Sequence, residues 1–272
     1  MQQFSTSPLA LWSSLVQHKE LILTMVKREV IGRYRGSALG LLWSFFNPLF
    51  MLTVYTFVFS MIFKARWNTG SDSKTEFALI LFAGLIVFNL FSECINRAPS
   101  TITANVNYVK KVVFPLEILP WVTLGSVLFH ATISLAVWIA AYTIFFGIPH
   151  LTVLLIPIII LPLIFFTIGI SWALSSLGVY LRDVSQITGI ATSVLMFLSP
   201  IFYPVSALPE RIRPVLLLNP LAPSIEQVRQ VLYFGELPNP IVWTGSLCIA
   251  LFVAYIGFFW FQKTRKGFAD VL

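Results

Sequence analysis

Long uncharged stretches alternate with short polar segments along the chain, and this pattern predicts the elements that cross a membrane. A spanning helix needs about 20 mostly apolar residues. Six stretches meet or approach that length, at about 39–63, 77–96, 118–146, 151–180, 187–202 and 241–261. The run from Ile118 to Leu181 contains no Asp, Glu, Lys or Arg and is too long for one crossing, so it divides at the turn-like residues 147–150. We therefore predict an all-α integral membrane fold with six transmembrane helices.

Three polar or mixed segments lie outside these spans. Within an N-terminal segment, 1–36, the apolar positions of 12–35 recur three or four residues apart, which predicts an amphipathic helix in the membrane interface. That helix either fixes orientation or also contacts a partner. Segment 97–116 predicts either a short docking helix or a solvated loop. The proline-rich stretch 203–240 predicts two short helices, 210–218 and 224–234, as a re-entrant outer hairpin, or else an ordinary loop.

Composition and charge strengthen the membrane assignment and add an orientation. Hydrophobic residues make up 57% of the 272 residues and charged residues 11%, whereas soluble domains carry about 25% charged residues. The chain has 18 Lys and Arg against 11 Asp and Glu, a net charge of +7. Twelve of the 18 basic residues lie on the side of the two termini if six spans are correct. Since basic residues collect in cytoplasmic loops, both termini are predicted to be cytoplasmic.

Few residues suggest catalysis or ion coupling. The chain contains no H-E-x-x-H, G-x-S-x-G or G-x-x-x-x-G-K-[ST] motif, so it is predicted to have no catalytic or metal site and to need a separate ATPase if transport is ATP-driven. Glu93 and Arg97 share one helix face and suggest an ion pair rather than a proton site. His130 suggests a hydrogen-bonded packing residue or a functional group within a span. Cys94 and Cys248 are expected to be small buried side chains.

Aromatic residues form 15% of the chain and offer one candidate passage for a sugar polymer. Many are expected to face lipid or to form interfacial belts. Tyr55 and Phe59 lie one helical turn apart in the first span, and Phe197, Phe202 and Tyr203 cluster at the outer end of the fifth. Because aromatic faces stack on the C–H faces of sugar rings, these five are candidate channel residues for a glycan.

Several blocks of sequence closely resemble the polysaccharide-exporting ABC transporter permeases. The first runs from Lys27 to Ser37 and continues through Trp43-Ser44 and Asn47-Pro48. The others are 105–120, with Val109-Lys110-Lys111-Val112-Val113-Phe114-Pro115-Leu116-Glu117, then Tyr180-Leu181-Arg182-Asp183-Val184, Ser199-Pro200-Ile201-Phe202-Tyr203-Pro204 and Leu218-Asn219-Pro220. The resemblance covers essentially the whole chain.

This resemblance implies a type-2 ABC exporter transmembrane domain, in which a six-span domain follows residue 36. It implies a homodimer with a continuous channel between the copies, bound to two copies of a separate ATPase subunit. That subunit would hold ATP and Mg, and this chain would hold no cofactor and is not expected to be an enzyme. The implied cargo is undecaprenyl-diphosphate-linked O-antigen polysaccharide, moved across the bacterial inner membrane, with membrane lipids as neighbours and no nucleic acid.

The resemblance also assigns roles to individual residues. It implies ATPase coupling at Thr101, Asn105, Asn107, Tyr108 and Lys110. Arg28, Arg33 and Arg35 would contact the cargo's diphosphate or anionic lipid, since Arg gives bidentate phosphate contacts. The outer hairpin would act as a gate, through Glu210, Arg213, Glu226 and Arg229.

Other functions fit parts of the same pattern. The cargo could be capsular polysaccharide or wall teichoic acid, or a small lipophilic molecule. A stand-alone membrane enzyme that processes glycans is a different class, and it would need polar catalytic residues gathered on one side, a pattern that the sequence does not show. A tightly bound nucleotide-binding subunit would favour export, and its absence would favour the enzyme.

Overall fold

The computed structural model describes residues 6–58, 67, 74–110, 114–211, 216 and 219–272. Regular secondary structure within these ranges is helical, and the α-helices are numbered in chain order. They are α1 (Pro8–Gln17), α2 (Lys19–Arg33), α3 (Trp43–Tyr55), α4 (Lys74–Arg97), α5 (Val106–Lys110), α6 (Leu119–Phe146), α7 (Ile156–Ile159), α8 (Leu161–Tyr180), α9 (Val184–Leu198), α10 (Ala222–Arg229), α11 (Pro240–Thr264) and α12 (Phe268–Val271). Short 3₁₀ turns precede or extend several of them, and a π-helical turn, Gln230–Phe234, continues α10.

Five helical stretches within the described residues are long and apolar enough to cross a membrane. They are Gly40–Val58, Thr75–Ser100, Leu116–Phe146, Leu151–Tyr180 and Pro240–Val271, and they match the first four predicted spans and the last. The fifth predicted span, 187–202, corresponds to α9, which has 15 residues. Its length is about 22 Å at 1.5 Å per residue, against about 30 Å of hydrocarbon. A sixth crossing therefore stays a prediction.

Two prolines lie at the breaks in the fourth span. Leu151–Leu155 is a 3₁₀ turn, and α7 and α8 follow as separate helices. Pro157 and Pro162 lie in the first turns of α7 and α8, where a missing backbone donor costs nothing.

The N-terminal amphipathic helix is two helices rather than one, because the chain is interrupted at His18 between α1 and α2. The inner face of α2 packs on α6, where Met25 and Val30 are buried and Ile22 and Val26 are partly buried. A Cβ at Gly125 of α6 would lie 2.6 Å from Cγ2 of Val26, so the absence of a side chain there lets the two helices approach. This contact fixes α2 to the helical bundle.

Helix α4 is the centre of the fold. Ala78, Leu79, Ile80 and Leu81 are fully buried, as expected for a helix that is apolar on nearly all sides. The indole Nε1 of Trp138 on α6 donates a 2.8 Å hydrogen bond to the Leu79 carbonyl. Helices α6, α8, α9 and α10 all contact α4. The few polar residues of α4 are therefore exceptions on a helix that is otherwise apolar and buried.

Helices α8 and α11 cross at a pair of glycines. A Cβ at Gly257 would overlap the Gly169 carbonyl, and a Cβ at Gly169 would lie 2.6 Å from the Val253 carbonyl oxygen. Small residues allow such close backbone contact between membrane helices. The opposite face of α11 is exposed and includes Cys248, so the expectation that this thiol is buried is wrong, whereas Cys94 on α4 is buried.

The outer segment before α11 packs into the protein. Leu221, Ile225, Val231 and Leu232 are almost fully buried, and α10 contacts α4. The first predicted gate helix, 210–218, lies mostly outside the described residues. The second begins at Ala222 and ends at Gly235, which has a φ of +69°. Burial of this kind is what a non-spanning segment needs at membrane depth, and the re-entrant course itself stays a prediction.

Candidate functional site

The central helix α4 carries one polar strip on an otherwise buried surface. Asn89 and Asn96 are exposed, and Ser92 and Glu93 are half-buried. These four residues, defined here as the polar strip, are spaced three or four apart and therefore share one helix face. At one end of the strip, Thr192 of α9 donates a 3.0 Å hydrogen bond to the Asn96 side-chain oxygen. At the other end, Asn89 shares a cavity with residues of α3.

An ion network joins the polar strip to α2. The Arg33 guanidinium lies 2.5 Å from the Glu93 carboxylate, and Arg97 bonds the Glu29 carboxylate. The predicted pair of Glu93 and Arg97 is confirmed at 3.5 Å, as the longer of the two contacts that Glu93 makes. Two cations thus meet two carboxylates, and the network is close to neutral. Sequence spacing on α4 identified one of these contacts, whereas the two links to α2 come from tertiary packing.

The three arginines predicted to meet a diphosphate lie in different surroundings. Arg33 is engaged by Glu93. Arg28 donates a 3.0 Å hydrogen bond from Nη2 to the Tyr108 hydroxyl. Arg35 is exposed in the turn that follows α2. The structure therefore divides them among the polar strip, the coupling segment and the surface, and their contact with a diphosphate stays a prediction.

The coupling segment, residues 97–116, is described over 97–110 and 114–116, where it forms short helical turns rather than one continuous helix. It contains the 3₁₀ turns Ala98–Ser100 and Thr103–Asn105 and then α5. Thr101 is buried and Asn105 is half-buried. The side-chain amide of Asn105 donates a 2.8 Å hydrogen bond to the Thr101 carbonyl. Asn107 and Lys110 are exposed on α5, so they form the outward part of the five predicted coupling residues.

One close contact seats the coupling segment on α8, and a second lies within the segment. A Cβ at Gly178 of α8 would overlap the Pro99 carbonyl, so the two backbones are in direct contact there. The ring of Tyr108 stacks on Phe114 at a centroid distance of 4.4 Å. Displacing the segment as a unit would therefore displace the end of α8.

Glu117, just beyond the coupling segment, joins both ends of the chain to it. Its carboxylate accepts a 2.6 Å bond from Arg265 and a 3.1 Å bond from the Ser14 hydroxyl. Arg265 also donates a 2.7 Å hydrogen bond from Nη2 to the Phe114 carbonyl. Sequence reasoning missed Arg265 and Ser14, because no spacing rule connects residues 14, 117 and 265. The available signal was that the chain has only 11 acidic residues, so that each of them is a candidate partner for a basic residue.

The predicted channel aromatics fall into separate places. Phe197 is exposed and its ring lies 6.1 Å from that of Phe202. The Tyr203 hydroxyl approaches the Phe197 carbonyl at 3.4 Å, so these three form one cluster at the end of α9. Tyr55 is half-buried on α3. Phe59 lies outside the described residues.

The predicted gate residues also separate, and one is deeply buried. Arg229 is 1% exposed. Burial lowers the pKa of Arg229 to about 10, against the opposing effect of Glu226, so the guanidinium stays charged at neutral pH. Burial also raises the pKa of the Glu226 carboxyl, and Arg229 limits that rise. Glu210 is exposed, and Arg213 lies outside the described residues.

Contacts of Arg229 join three parts of the fold. Its Nε donates 3.0 Å to the Ile80 carbonyl on α4, and its Nη atoms reach the carbonyls of Pro200 and Ile201. Its Nη1 atom lies 3.1 Å from the Glu226 carboxylate. Its guanidinium carbon lies 4.4 Å from the centre of the Trp67 ring. A Cβ at Gly84 would be 2.8 Å from Nη2, so that glycine makes room for the guanidinium. Arg229 thus acts as an internal clamp, because its side chain joins α10 to α4 and to the residues that follow α9.

Comparisons with known proteins place these features in context. A family model described as "ABC-2 type transporter" matches residues 20–233. The O-antigen export system permease protein RfbA of Myxococcus xanthus is 27% identical over 260 residues, which is 94% of this chain and 96% of that protein. The protein of that name in Klebsiella pneumoniae is 27% identical over 255 residues, or 93% and 95%. The capsule polysaccharide export inner-membrane protein CtrC of Neisseria meningitidis serogroup B is 26% identical over 265 residues, or 94% and 95%.

Proposed function

Because the chain belongs to the ABC-2 type transporter family, we propose that it is the permease of an ATP-driven exporter that moves lipid-linked O-antigen polysaccharide across the inner membrane. Its relatives are named for O-antigen export and capsule polysaccharide export, which supports a polysaccharide cargo. We take the cargo to be attached to undecaprenyl diphosphate. Capsular polysaccharide and teichoic acid are the other cargoes of the same chemical class.

The polar strip of α4 is the observation that carries this proposal. Amide and carboxylate groups within membrane helices face protein, water or a cavity rather than lipid. Helices α3 and α9 lie beside the strip and expose broad apolar faces, including Phe50 and Met51 of α3 and Ile187 and Ile190 of α9. In our proposal a second copy packs against these faces. The two polar strips then line an aqueous channel between the copies.

The outer end of this channel would be aromatic. Phe197 and Phe202, with Tyr203 beside them, form a cluster where α9 ends. Aromatic faces there, with Tyr55 and Phe59 of the first span, would stack on sugar rings as the glycan passes. The outer segment around α10 would gate this end, with Glu210, Arg213 and Glu226 at its surface and Arg229 as its internal anchor.

Energy for transport would come from a separate subunit, since the sequence contains no phosphate-binding G-x-x-x-x-G-K-[ST] motif. That ATPase, with its ATP and Mg, would dock on the exposed face of the coupling segment at Asn107 and Lys110. Both termini would then be cytoplasmic, on the same side as this segment, which agrees with the distribution of Lys and Arg.

Motion of the coupling segment would reach the channel through the contacts already described. The backbone of Pro99 contacts Gly178 of α8. The Tyr108 hydroxyl accepts a hydrogen bond from Arg28 of α2. Arg97, at the start of the segment, is bonded to Glu29 of α2. A push on the segment would thus move α2 and the end of α4 together, and so change the spacing of α3, α4 and α9 along the channel.

Transport in vesicles tests the function directly. Vesicles that contain this chain and its ATPase should move undecaprenyl-diphosphate-linked glycan only when ATP can be hydrolysed. A nonhydrolysable ATP analogue and vesicles without the ATPase are the controls. Equal transport without the ATPase would contradict the proposal.

A cysteine on the polar strip should be reachable from water. We expect Ser92→Cys, in a Cys248→Ser background, to react with a charged methanethiosulfonate reagent in vesicles, because a thiol reacts as the thiolate in an aqueous setting. Cys94 is buried and stays unreactive. The matched control is Ile249→Cys on α11, where the native side chain is 62% exposed and would face lipid. Failure of the cysteine at 92 to react, or equal reaction at 249, would refute a channel along the strip.

A further inference from the structure

A polar cavity of about 400 Å³ lies within each subunit, beside the polar strip. Its walls come from α3, α4 and α6, and Arg33 and Tyr34 at the end of α2 form one side. The rest of the polar lining comprises Ser44, Asn47, Asn89, Ser92, Glu93, His130 and Ser134. The volume falls in the range of small-molecule binding sites, and the cavity is set among helices that cross the membrane.

Several of these polar groups have unused hydrogen-bonding capacity. The Nε2 atom of His130 is buried and has no hydrogen-bond partner among the described residues. The side chains of Asn47 and Asn89 line the cavity and are exposed, so their amides are available to a polar occupant. By contrast, the Ser44 and Ser134 hydroxyls donate to backbone carbonyls at 2.6 and 3.0 Å, which leaves their oxygens free to accept. Amides and hydroxyls at membrane depth face water or a polar partner rather than lipid, so this arrangement suits a polar occupant.

The charge and shape of the cavity restrict that occupant. Arg33 and Glu93 both line the cavity and lie 2.5 Å apart, so the two charges of this wall balance, which favours a neutral occupant. The Tyr34 and His130 rings meet edge to face at 5.8 Å. The apolar part of the wall includes Met51, Phe82, Ile86 and Leu90. Amides beside an apolar wall suit a ring that has hydroxyl groups at its edge and C–H groups on its faces.

We propose that this cavity binds one neutral sugar residue of the exported glycan and so forms a subsite next to the channel. The inference rests on the proposed function, because it takes a glycan as the cargo. The Asn47 and Asn89 amides bond the sugar hydroxyls, and the apolar wall packs against the ring. The site recognises the sugar part of the cargo, separately from its diphosphate.

Binding to the purified complex tests the cavity without transport. The chain with its ATPase, in nanodiscs, is mixed with the methyl pyranosides of glucose, galactose, mannose, rhamnose and N-acetylglucosamine, and saturation-transfer NMR detects binding. At least one glycoside should bind to the wild type. The double variant Asn47→Leu, Asn89→Leu should bind it at least about tenfold more weakly, because two amide hydrogen bonds are lost. Leu is favourable inside membrane helices, so this variant is expected to fold.

A control variant and two competitors decide whether the site is the one proposed. Thr132→Val lies on α6 between His130 and Ser134, but its hydroxyl bonds the Leu128 carbonyl and it does not line the cavity. It should bind sugar as the wild type does. Inorganic pyrophosphate and phosphocholine should not compete. Competition by either, equal binding by the double Leu variant, or no binding of any glycoside to the wild type would overturn the inference.

Transport separates failure of this inference from failure of the proposed function. Wild-type vesicles that move glycan while the double Leu variant shows unchanged sugar binding would leave export intact and remove the subsite. Wild-type vesicles that move no lipid-linked glycan would remove the proposed function, whichever sugars bind.

Discussion

Replacing Arg229 by Met should leave little folded protein, although the two side chains are similar in length. The change removes the donors to the Ile80, Pro200 and Ile201 carbonyls. It also leaves Glu226, whose side chain is 37% exposed, without its cation. Each buried acceptor left without a donor costs about 1–3 kcal/mol, so losing the bonds to these carbonyls together costs several kcal/mol. That is a large part of the roughly 5–15 kcal/mol that stabilises a typical folded protein.

Detergent extraction followed by size-exclusion chromatography and thermal unfolding measures this effect. Arg211→Met is the matched control, because Arg211 lies on the same outer segment and is exposed. It should elute and unfold like the wild type. Arg229→Lys keeps the charge but not the planar fork of donors, so it should be intermediate. If Arg229→Met unfolded at the wild-type temperature, Arg229 would not be the clamp that its contacts indicate.

Adding one methyl group at Gly257 should have the second largest effect on stability. The new Cβ of Gly257→Ala would overlap the Gly169 carbonyl where α8 and α11 cross, and a backbone atom cannot move aside as a side chain can. The helices would have to separate, with an overpacking cost of about 1–3 kcal/mol or more. Ala is the better helix former by about 1 kcal/mol, so the net result should still be destabilisation.

Gly245→Ala provides the control on the same helix. Gly245 has no atom within 4 Å of a built Cβ, so its substitution meets open space. The midpoint temperature of unfolding should fall for Gly257→Ala and stay the same or rise for Gly245→Ala. Equal midpoints for the two variants would show that the crossing tolerates a Cβ.

Much of the fold could be predicted because bilayer thickness and hydropathy control it directly. The apolar stretches 77–96, 118–146, 151–180 and 241–261 correspond to helices, and the break in the fourth follows from Pro157 and Pro162. The interruption at His18 could not be predicted in the same way. Helical periodicity continues across that residue, and the packing of α2 on α6 is a tertiary effect.

The candidate site was less predictable, because its geometry depends on contacts between distant parts of the chain. The spacing of Glu93 and Arg97 gave one ion pair, since four residues separate neighbours on a helix face. Spacing gave no indication that Arg33 and Glu29 complete the network. Arg229 lies at an unremarkable position in a mixed segment, and its burial depends on Gly84, which is 145 positions earlier.

Contacts at Glu117 bear on the order in which the subunit can be assembled. The side chain binds Ser14, from the first helix, and Arg265, which follows the last long helix. Synthesis proceeds from the N-terminus, so the surroundings of the coupling segment are complete only after α11 has been made and inserted. A partner that recognises the finished segment would therefore bind only mature subunits, and its recruitment would report that biogenesis is complete.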